Sequence, residues 1–146
     1  MYLSNLFLKN FRNYKNLELH FHEKLNVFVG ENAQGKTNVL EAIFFSCFLK
    51  SHRTNKNLNL IKFEEEDFEI DLFGKKENLK CFEVALKLNS KSCKKDLFLN
   101  GMRIIKSSDF IGYLKVVMFS PEDLKIVKES PAIRRKFLDM NISQID

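Results

Sequence analysis

Apolar and polar residues alternate with period two in several stretches of the chain, the pattern typical of β-strands with one buried face. The last of these stretches contains Asn100-Gly101, a dipeptide typical of a two-residue hairpin turn. The pattern therefore predicts two strands near the N-terminus, with Arg12-Asn13-Tyr14 at the turn between them, and an antiparallel meander in the middle of the chain. The stretches are residues 2–11, 16–21, 68–74, 81–88 and 96–105.

Two other stretches, residues 25–30 and 115–119, are continuously apolar. This is typical of strands buried on both faces of a parallel sheet. Residues 35–49 are apolar nearly all round at helical spacing, so we expect a helix packed on several sides. Residues 107–114 predict a short helix. Ser120-Pro121 and Ser130-Pro131 each place serine at an N-cap and proline at a first helical position, which predicts two further helix starts.

A polar loop that ends in lysine joins the strand at 25–30 to the apolar helix. Its pattern is G-x-x-x-x-G-K-T, the phosphate-binding P-loop, in the strand–loop–helix setting that this motif requires. The alternative is a chance glycine-rich turn, but the flanking strand and helix favour nucleotide binding. The loop consists of Gly30, Glu31, Asn32, Ala33, Gln34, Gly35, Lys36 and Thr37.

Each residue type in this loop has a chemical reason. Successive backbone N–H groups form a concave anion site, and the positive end of the following helix adds its dipole. Glycines at 30 and 35 permit the turn and leave no Cβ against a phosphate. Lys36 is expected to reach the β- and γ-phosphates of ATP, and the Thr37 hydroxyl is expected to ligate Mg²⁺.

Composition narrows the class of protein. The 146 residues are enough for one domain, and a net charge of +5 permits an anionic partner without requiring one. The three cysteines, Cys47, Cys81 and Cys93, form no C-x-x-C pair, which favours reduced thiols and a cytoplasmic location. The start of the chain has no signal-peptide pattern, and no apolar run is long enough for a membrane helix. We therefore expect no membrane association.

Four stretches together resemble the RecF family of bacterial recombination mediators, within the SMC/Rad50-like ATPases. They are "LFLKNFRNY", "NVFVGENAQGKTNVLEAI", "SHRT" and "FSPEDLKIVKESPAIRRKFLD". The resemblance runs along the whole chain but covers only the N-terminal part of a typical family member. It implies an α/β P-loop NTPase fold of the ABC/SMC-head type, as an incomplete domain. A P-loop lobe would comprise residues 1–53 and 106–146, and the antiparallel section would comprise residues 66–105.

The resemblance also implies a function. Members of the family bind ATP with Mg²⁺, form ATP-dependent homodimers and close on single-stranded or gapped DNA. They work with RecO and RecR in loading RecA, in DNA repair, DNA replication and the SOS response. Their ATP hydrolysis is slow and stimulated by DNA.

Further residues match family positions. Arg12, with Asn13, matches a family arginine that lies near the nucleotide. Arg53 in "SHRT" matches a family arginine that senses nucleotide or contacts DNA. For both arginines, the alternative is an ordinary charged residue in a loop. Arg134 and Arg135 match paired arginines, although solvated helix arginines are the simpler interpretation. His20 and His22 share a strand face, but they lack a third ligand, so we do not expect a metal site there.

ATP hydrolysis additionally needs an apolar strand that ends in Asp-Glu. The only imitation is "VVMFSPED", whose carboxylates helix capping already explains. The resemblance places the true Asp-Glu and a serine-glycine signature in the C-terminal half of family members. Hydrolysis by this chain alone therefore stays open. The alternatives to a DNA-clamp ATPase are a non-catalytic nucleotide- or DNA-binding fragment, another SMC/Rad50-like ATPase and, more remotely, a P-loop kinase.

Overall fold

The structure, a computed structural model, describes residues 1–76, 80–120 and 130–144. The elements within these ranges are six strands, three α-helices and one 3-10 helix. In chain order they are β1 (Tyr2–Phe11), β2 (Tyr14–His20), α1 (Lys36–Phe48), the 3-10 helix (Asn57–Leu60), β3 (Asp67–Lys75), β4 (Cys81–Asn89), β5 (Lys95–Leu99), β6 (Met102–Ile104), α2 (Ser107–Phe110) and α3 (Pro131–Ile142).

All six strands form one antiparallel sheet in the order β2-β1-β3-β4-β5-β6. The predicted meander and both N-terminal strands are confirmed. Asn100 and Gly101 form the turn between β5 and β6 with φ angles of 51° and 77°. Positive φ at both positions is the geometry that Asn-Gly favours in a two-residue hairpin, because its twist matches that of the flanking strands.

The alternating pattern places one apolar face of the sheet against α1. Leu6 lies opposite Leu72, and Leu72 lies opposite Val84, so the strands bring their apolar residues to the same side. The rings of Phe45 in α1 and Phe68 in β3 meet edge to face, with 5.8 Å between centroids. The other side of α1 contributes Ile43 and Cys47 to a small cavity that Leu114 and Val116 also line. The helix is thus packed on several sides, as predicted.

The prediction of buried parallel strands at 25–30 and 115–119 is wrong for the described part of the chain. Neither segment belongs to the sheet, and the outward side chains of Val29 and Val117 are 89% and 91% exposed. Phe28, Val116 and Met118 pack inward against the core. A strand is buried on both faces only when other elements cover both, and among the described residues these segments are covered on one face alone.

The helix predictions divide by position. Of the short helix predicted at 107–114, only Ser107–Phe110 is helical, as α2. α3 begins with Pro131 at its first position after Ser130. The serine side chain makes no capping hydrogen bond. The predicted helix at Ser120-Pro121 lies outside the described residues.

The fold class is the predicted one, an α/β structure with an antiparallel sheet that forms part of a domain. β1 and β2 belong to the same sheet as β3 to β6, and the division of the chain at residues 53, 66 and 105 stays a prediction. Within the described ranges, no helix has both the length and the apolar character that crossing a bilayer requires.

Candidate nucleotide-binding site

The loop at residues 30–37 is a compact exposed turn that leads into α1. Ala33 and Gly35 have φ angles of 65° and 102°, so the chain turns through left-handed conformations at two nearby positions. Residues 30–34 and Thr37 are exposed, whereas Gly35 is buried. The loop is therefore neither extended nor covered by other side chains.

The backbone N–H groups of this loop are available to a ligand. Among the hydrogen bonds of the described residues, none uses the N–H of residues 31–37, and the first helical bond runs from the N–H of Asn38 to the carbonyl of Gly35, at 2.7 Å. Free N–H groups at the start of a helix, together with its dipole, form an anion site. These unengaged N–H groups are the donors that a phosphate cradle would need.

Lys36 brings a positive charge to the same loop. Its Nζ donates to the carbonyl oxygens of Gly30, at 2.7 Å, and Glu31, at 2.5 Å. The ammonium group thus lies across the start of the loop. It has the length and charge to exchange these carbonyls for phosphate oxygens, which are the stronger partners for a cation.

The turn between β1 and β2 lies directly on the loop. Asn13 Nδ2 and the Tyr14 hydroxyl each lie 3.4 Å from the carbonyl oxygen of Gln34, to which they donate. A Cβ at Gly35 would lie 2.5 Å from the Tyr14 hydroxyl oxygen and 2.8 Å from Asn13 Nδ2. Burial raises the pKa of Tyr14, which keeps its hydroxyl protonated as a donor. Asn13 therefore contacts the loop backbone, and its predicted contact with the nucleotide stays a prediction.

A buried carboxylate lies one turn along α1 from Thr37. Glu41 is completely buried, and its two oxygens accept from Arg12, Ser51 and Arg53. Burial by itself would raise the pKa of Glu41. The hydrogen bonds from Arg12 and Ser51 and the charges of Arg12 and Arg53 outweigh it, so the pKa is below its usual value. The carboxylate is therefore ionised at neutral pH.

Arg12 makes a bidentate pair with this carboxylate. Its Nε and NH2 lie 2.9 and 2.7 Å from the two oxygens of Glu41, and its NH1 donates to the carbonyl of Asn59 at 2.8 Å. Arg12 thereby joins the β1–β2 turn to α1 and to the 3-10 helix. The structure places it beside the site, and its predicted nucleotide contact stays a prediction.

Arg53 reaches the same helix from the loop that follows α1. Its NH1 donates to Asn38 Oδ1 at 2.8 Å and to Glu41 Oε2 at 3.2 Å. Asn38 Nδ2 in turn donates to Asn13 Oδ1 at 2.8 Å. Arg12, Asn13 and Arg53 are thus brought together around the first turns of α1.

Thr37 is the residue predicted to ligate Mg²⁺. Its side chain is exposed at the first turn of α1, beside the free N–H groups. Mg²⁺ at nucleotide sites takes one or two protein oxygens, with phosphate oxygens and water completing the octahedron. A single hydroxyl beside a phosphate cradle fits that requirement. The described residues include no group of three His, Cys, Asp or Glu side chains that could hold a metal without a nucleotide.

The remaining candidates lie elsewhere. Arg134 and Arg135 are exposed on α3. His20 lies 3.1 Å from Glu18 through Nε2 and 2.7 Å from Asn5 Nδ2 through Nδ1. His22 Nδ1 accepts from the backbone N–H of Lys24. These histidines have local polar partners and form no metal site within the described part of the chain.

Comparison with protein families identifies the family of the chain. A family model described as an AAA domain matches residues 5–144. The chain belongs to the AAA domain family. Since the match extends over nearly the whole chain, it includes the loop, α1 and the sheet together.

Comparison with individual proteins points to RecF. The chain is 51% identical to the DNA replication and repair protein RecF of Clostridium acetobutylicum, over 100% of this chain and 40% of that protein. A solved structure of the recombination mediator protein RecF-ATPrS in the RecFOR pathway superposes with a TM-score of 0.93 and 38% identity, over 99% of this chain and 39% of that one. The resemblance to RecF is confirmed. The chain spans about two fifths of the length of these relatives.

A third match concerns the fold alone. A structure described under ATP-driven dimerization and DNA-stimulated activation of SMC ATPases superposes with a TM-score of 0.75 at 23% identity, over 96% of this chain and 99% of that one. The predicted SMC-head type of fold is therefore confirmed.

Sequence reasoning missed Glu41, Asn38 and Ser51 as members of the site. A signal for Glu41 was present, because it is the only charged residue between Val39 and Leu49 in an otherwise apolar helix. A buried carboxylate needs a cation, and the loop arginines Arg12 and Arg53 were available as partners. Nothing comparable marks Asn38 or Ser51, whose residue types are common in helix starts and loops.

Proposed function

We propose that this chain is the nucleotide-binding part of a RecF-like ATPase that acts in DNA repair and replication. The observation that carries the proposal is the P-loop at the start of α1, with its N–H groups unengaged and Lys36 across it. The likeness to RecF structures described with ATP and ATPrS supports ATP as the nucleotide.

The chain's own residues would bind the triphosphate. The N–H groups of residues 31–37 donate to the phosphate oxygens, and Lys36 neutralises the β- and γ-phosphates. The Thr37 hydroxyl would hold Mg²⁺, which would supply positive charge to offset that of the phosphates. Asn13 and Tyr14 support the loop from the outside through the carbonyl of Gln34. In this arrangement the loop is already turned before the nucleotide arrives, so little ordering entropy is lost on binding.

We further propose, from the likeness to RecF, that the whole protein is an ATP-gated clamp on single-stranded or gapped DNA. It would dimerise when it binds ATP, work with RecO and RecR in loading RecA, and act in the cytoplasm during the SOS response. Its hydrolysis would be slow and stimulated by DNA. The net charge of +5 is compatible with a nucleic-acid partner.

A non-catalytic nucleotide- or DNA-binding module is the second candidate. It is favoured by the sequence, in which the only imitation of an apolar strand that ends in Asp-Glu is "VVMFSPED". An ATPase assay run beside an ATP titration separates the two. Binding without DNA-stimulated turnover supports the module, whereas stimulated turnover supports the clamp ATPase.

The Lys36→Ala variant tests the site itself. We expect it to abolish Mg²⁺-ATP binding, measured by isothermal titration calorimetry, because a charge-assisted contact to phosphate is lost. Lys24→Ala is the matched control, since Lys24 is exposed and outside the loop. Unchanged ATP affinity in Lys36→Ala would refute the assignment.

A further inference from the structure

We propose that Glu41 is a positioning residue for this site, and that its buried carboxylate holds Arg53 where the arginine distinguishes ATP from ADP. The inference rests on the proposed function, because it needs a nucleotide in the loop. It assigns a task to a residue that lies behind the P-loop and that no phosphate can touch.

The carboxylate of Glu41 is saturated with donors. Oε1 accepts from Arg12 NH2 at 2.7 Å and from Ser51 Oγ at 2.5 Å, while Oε2 accepts from Arg12 Nε at 2.9 Å and from Arg53 NH1 at 3.2 Å. Four hydrogen bonds use the full accepting capacity of a carboxylate. A completely buried, fully bonded group of this kind is held in one orientation.

The two arginines are bound unequally. Arg12 uses all three of its nitrogens, and its side chain is 20% exposed. Arg53 uses NH1 alone, its Nε and NH2 have no partner among the described residues, and its side chain is 42% exposed. Two guanidinium charges against one carboxylate leave an excess positive charge, and Arg53 carries the donors that an anion could use.

Arg53 is also tied to the end of the loop that takes Mg²⁺. Its NH1 donates to Asn38, the residue after Thr37, and Asn38 donates to Asn13, which donates to the carbonyl of Gln34. In nucleotide sites the metal bridges the β- and γ-phosphates. Arg53 is thus held beside the residue that follows the expected metal ligand, and its remaining donors would serve the terminal phosphate, which ADP lacks.

The experiment compares ATP and ADP dissociation constants in the full chain and in its Arg53→Ala, Glu41→Gln and double variants. We expect each single variant to lose about tenfold in ATP affinity, with a smaller change for ADP, since one charge-assisted hydrogen bond is lost. The double variant should bind ATP no more weakly than Arg53→Ala, because Glu41 acts through Arg53. Glu23→Gln, an exposed carboxylate elsewhere, should change neither constant.

Several outcomes overturn the inference. One is an unchanged ratio of the ATP and ADP dissociation constants in folded Glu41→Gln. Another is additive losses of ATP affinity in the double variant. Either result would indicate a merely structural role for Glu41. If circular dichroism shows that Glu41→Gln is unfolded, Asn38→Ala decides: it removes the second anchor of Arg53, so an unchanged ratio there also overturns the proposal. A parent chain that binds neither nucleotide refutes the proposed function and this inference together, whereas binding with unchanged ratios refutes the inference alone.

Discussion

Gly35 meets two constraints at once, one from its own backbone and one from its neighbours. Its φ of 102° lies in a region that residues with a Cβ rarely adopt, and a Cβ there would meet the Tyr14 hydroxyl oxygen at 2.5 Å. The β1–β2 turn can lie on the phosphate loop only because this position has no side chain. The glycine thus serves the contact with Asn13 and Tyr14 as much as the approach of a phosphate.

We expect Gly35→Ala to lower the free energy of unfolding by about 2 kcal/mol, from backbone strain and overpacking together. Urea denaturation followed by circular dichroism measures this loss. Ala33→Gly is the contrasting variant, because Ala33 has a φ of 65° without being a glycine. Relief of its strain should offset the added chain entropy, leaving stability within about 0.5 kcal/mol of the parent. Equal losses in the two variants would contradict this account.

At the scale of elements, the segment that follows α3 is bonded to residue 116 by the side chain of Gln144. Its amide makes the two hydrogen bonds to the backbone that a neighbouring strand would otherwise make. The N–H of Val116 donates to Gln144 Oε1 at 2.7 Å, and Gln144 Nε2 donates back to the Val116 carbonyl at 3.0 Å. Gln144 is buried, whereas Phe137, Leu138 and Ile142 on the helix are exposed. One amide therefore satisfies both backbone groups of a residue that has no strand partner.

Gln144→Ala should lower the free energy of unfolding by about 1–3 kcal/mol, since two partly buried backbone groups lose their partner. It should also speed amide hydrogen exchange at Val116, which NMR measures at that residue. Asn141→Ala is the matched control, because among the described residues the Asn141 amide donates to the Phe137 carbonyl of its own helix and to no other group. Unchanged exchange at Val116 in Gln144→Ala would contradict the role of this contact.

The sequence could predict the features that depend on residues close together along the chain, and it could not predict those that depend on distant residues. The hairpin at Asn100-Gly101 and the alternating strands depend on neighbouring residues, so a local pattern was enough. The partners of Glu41 are 29, 10 and 12 positions away on a turn and a loop, and spacing carries no record of how those segments run. The segment at 25–30 was mispredicted as buried on both faces. Its apolar composition indicates that other elements should pack against it, but it does not indicate which elements those are.

At the scale of the whole molecule, the described residues cover the segments 25–30 and 115–119 on one side only. Phe28, Val116 and Met118 pack toward the core, while the outward residues of the same two segments lie in solvent. Soluble monomers rarely expose large contiguous apolar surface, and such surface promotes association. The exposed members are Leu25, Val27, Val29, Val117 and Phe119, which are 72–91% exposed.

We therefore expect the 146-residue chain to self-associate and to bind the dye ANS through these two segments. Replacing Val27, Val29 and Val117 together by threonine should lower both ANS fluorescence and the sedimentation coefficient, because threonine keeps the shape and adds a hydroxyl group. Met102 and Ile105 provide the control, since they are 68% and 95% exposed near the β6 edge, away from both segments in sequence. Their threonine replacement should leave association unchanged.

A parent chain that sediments as a monomer and binds no ANS would show that the outward face is tolerated in water. The apolar sequence of residues 25–30 would then have to be explained by the strand conformation it favours, with no covering element required.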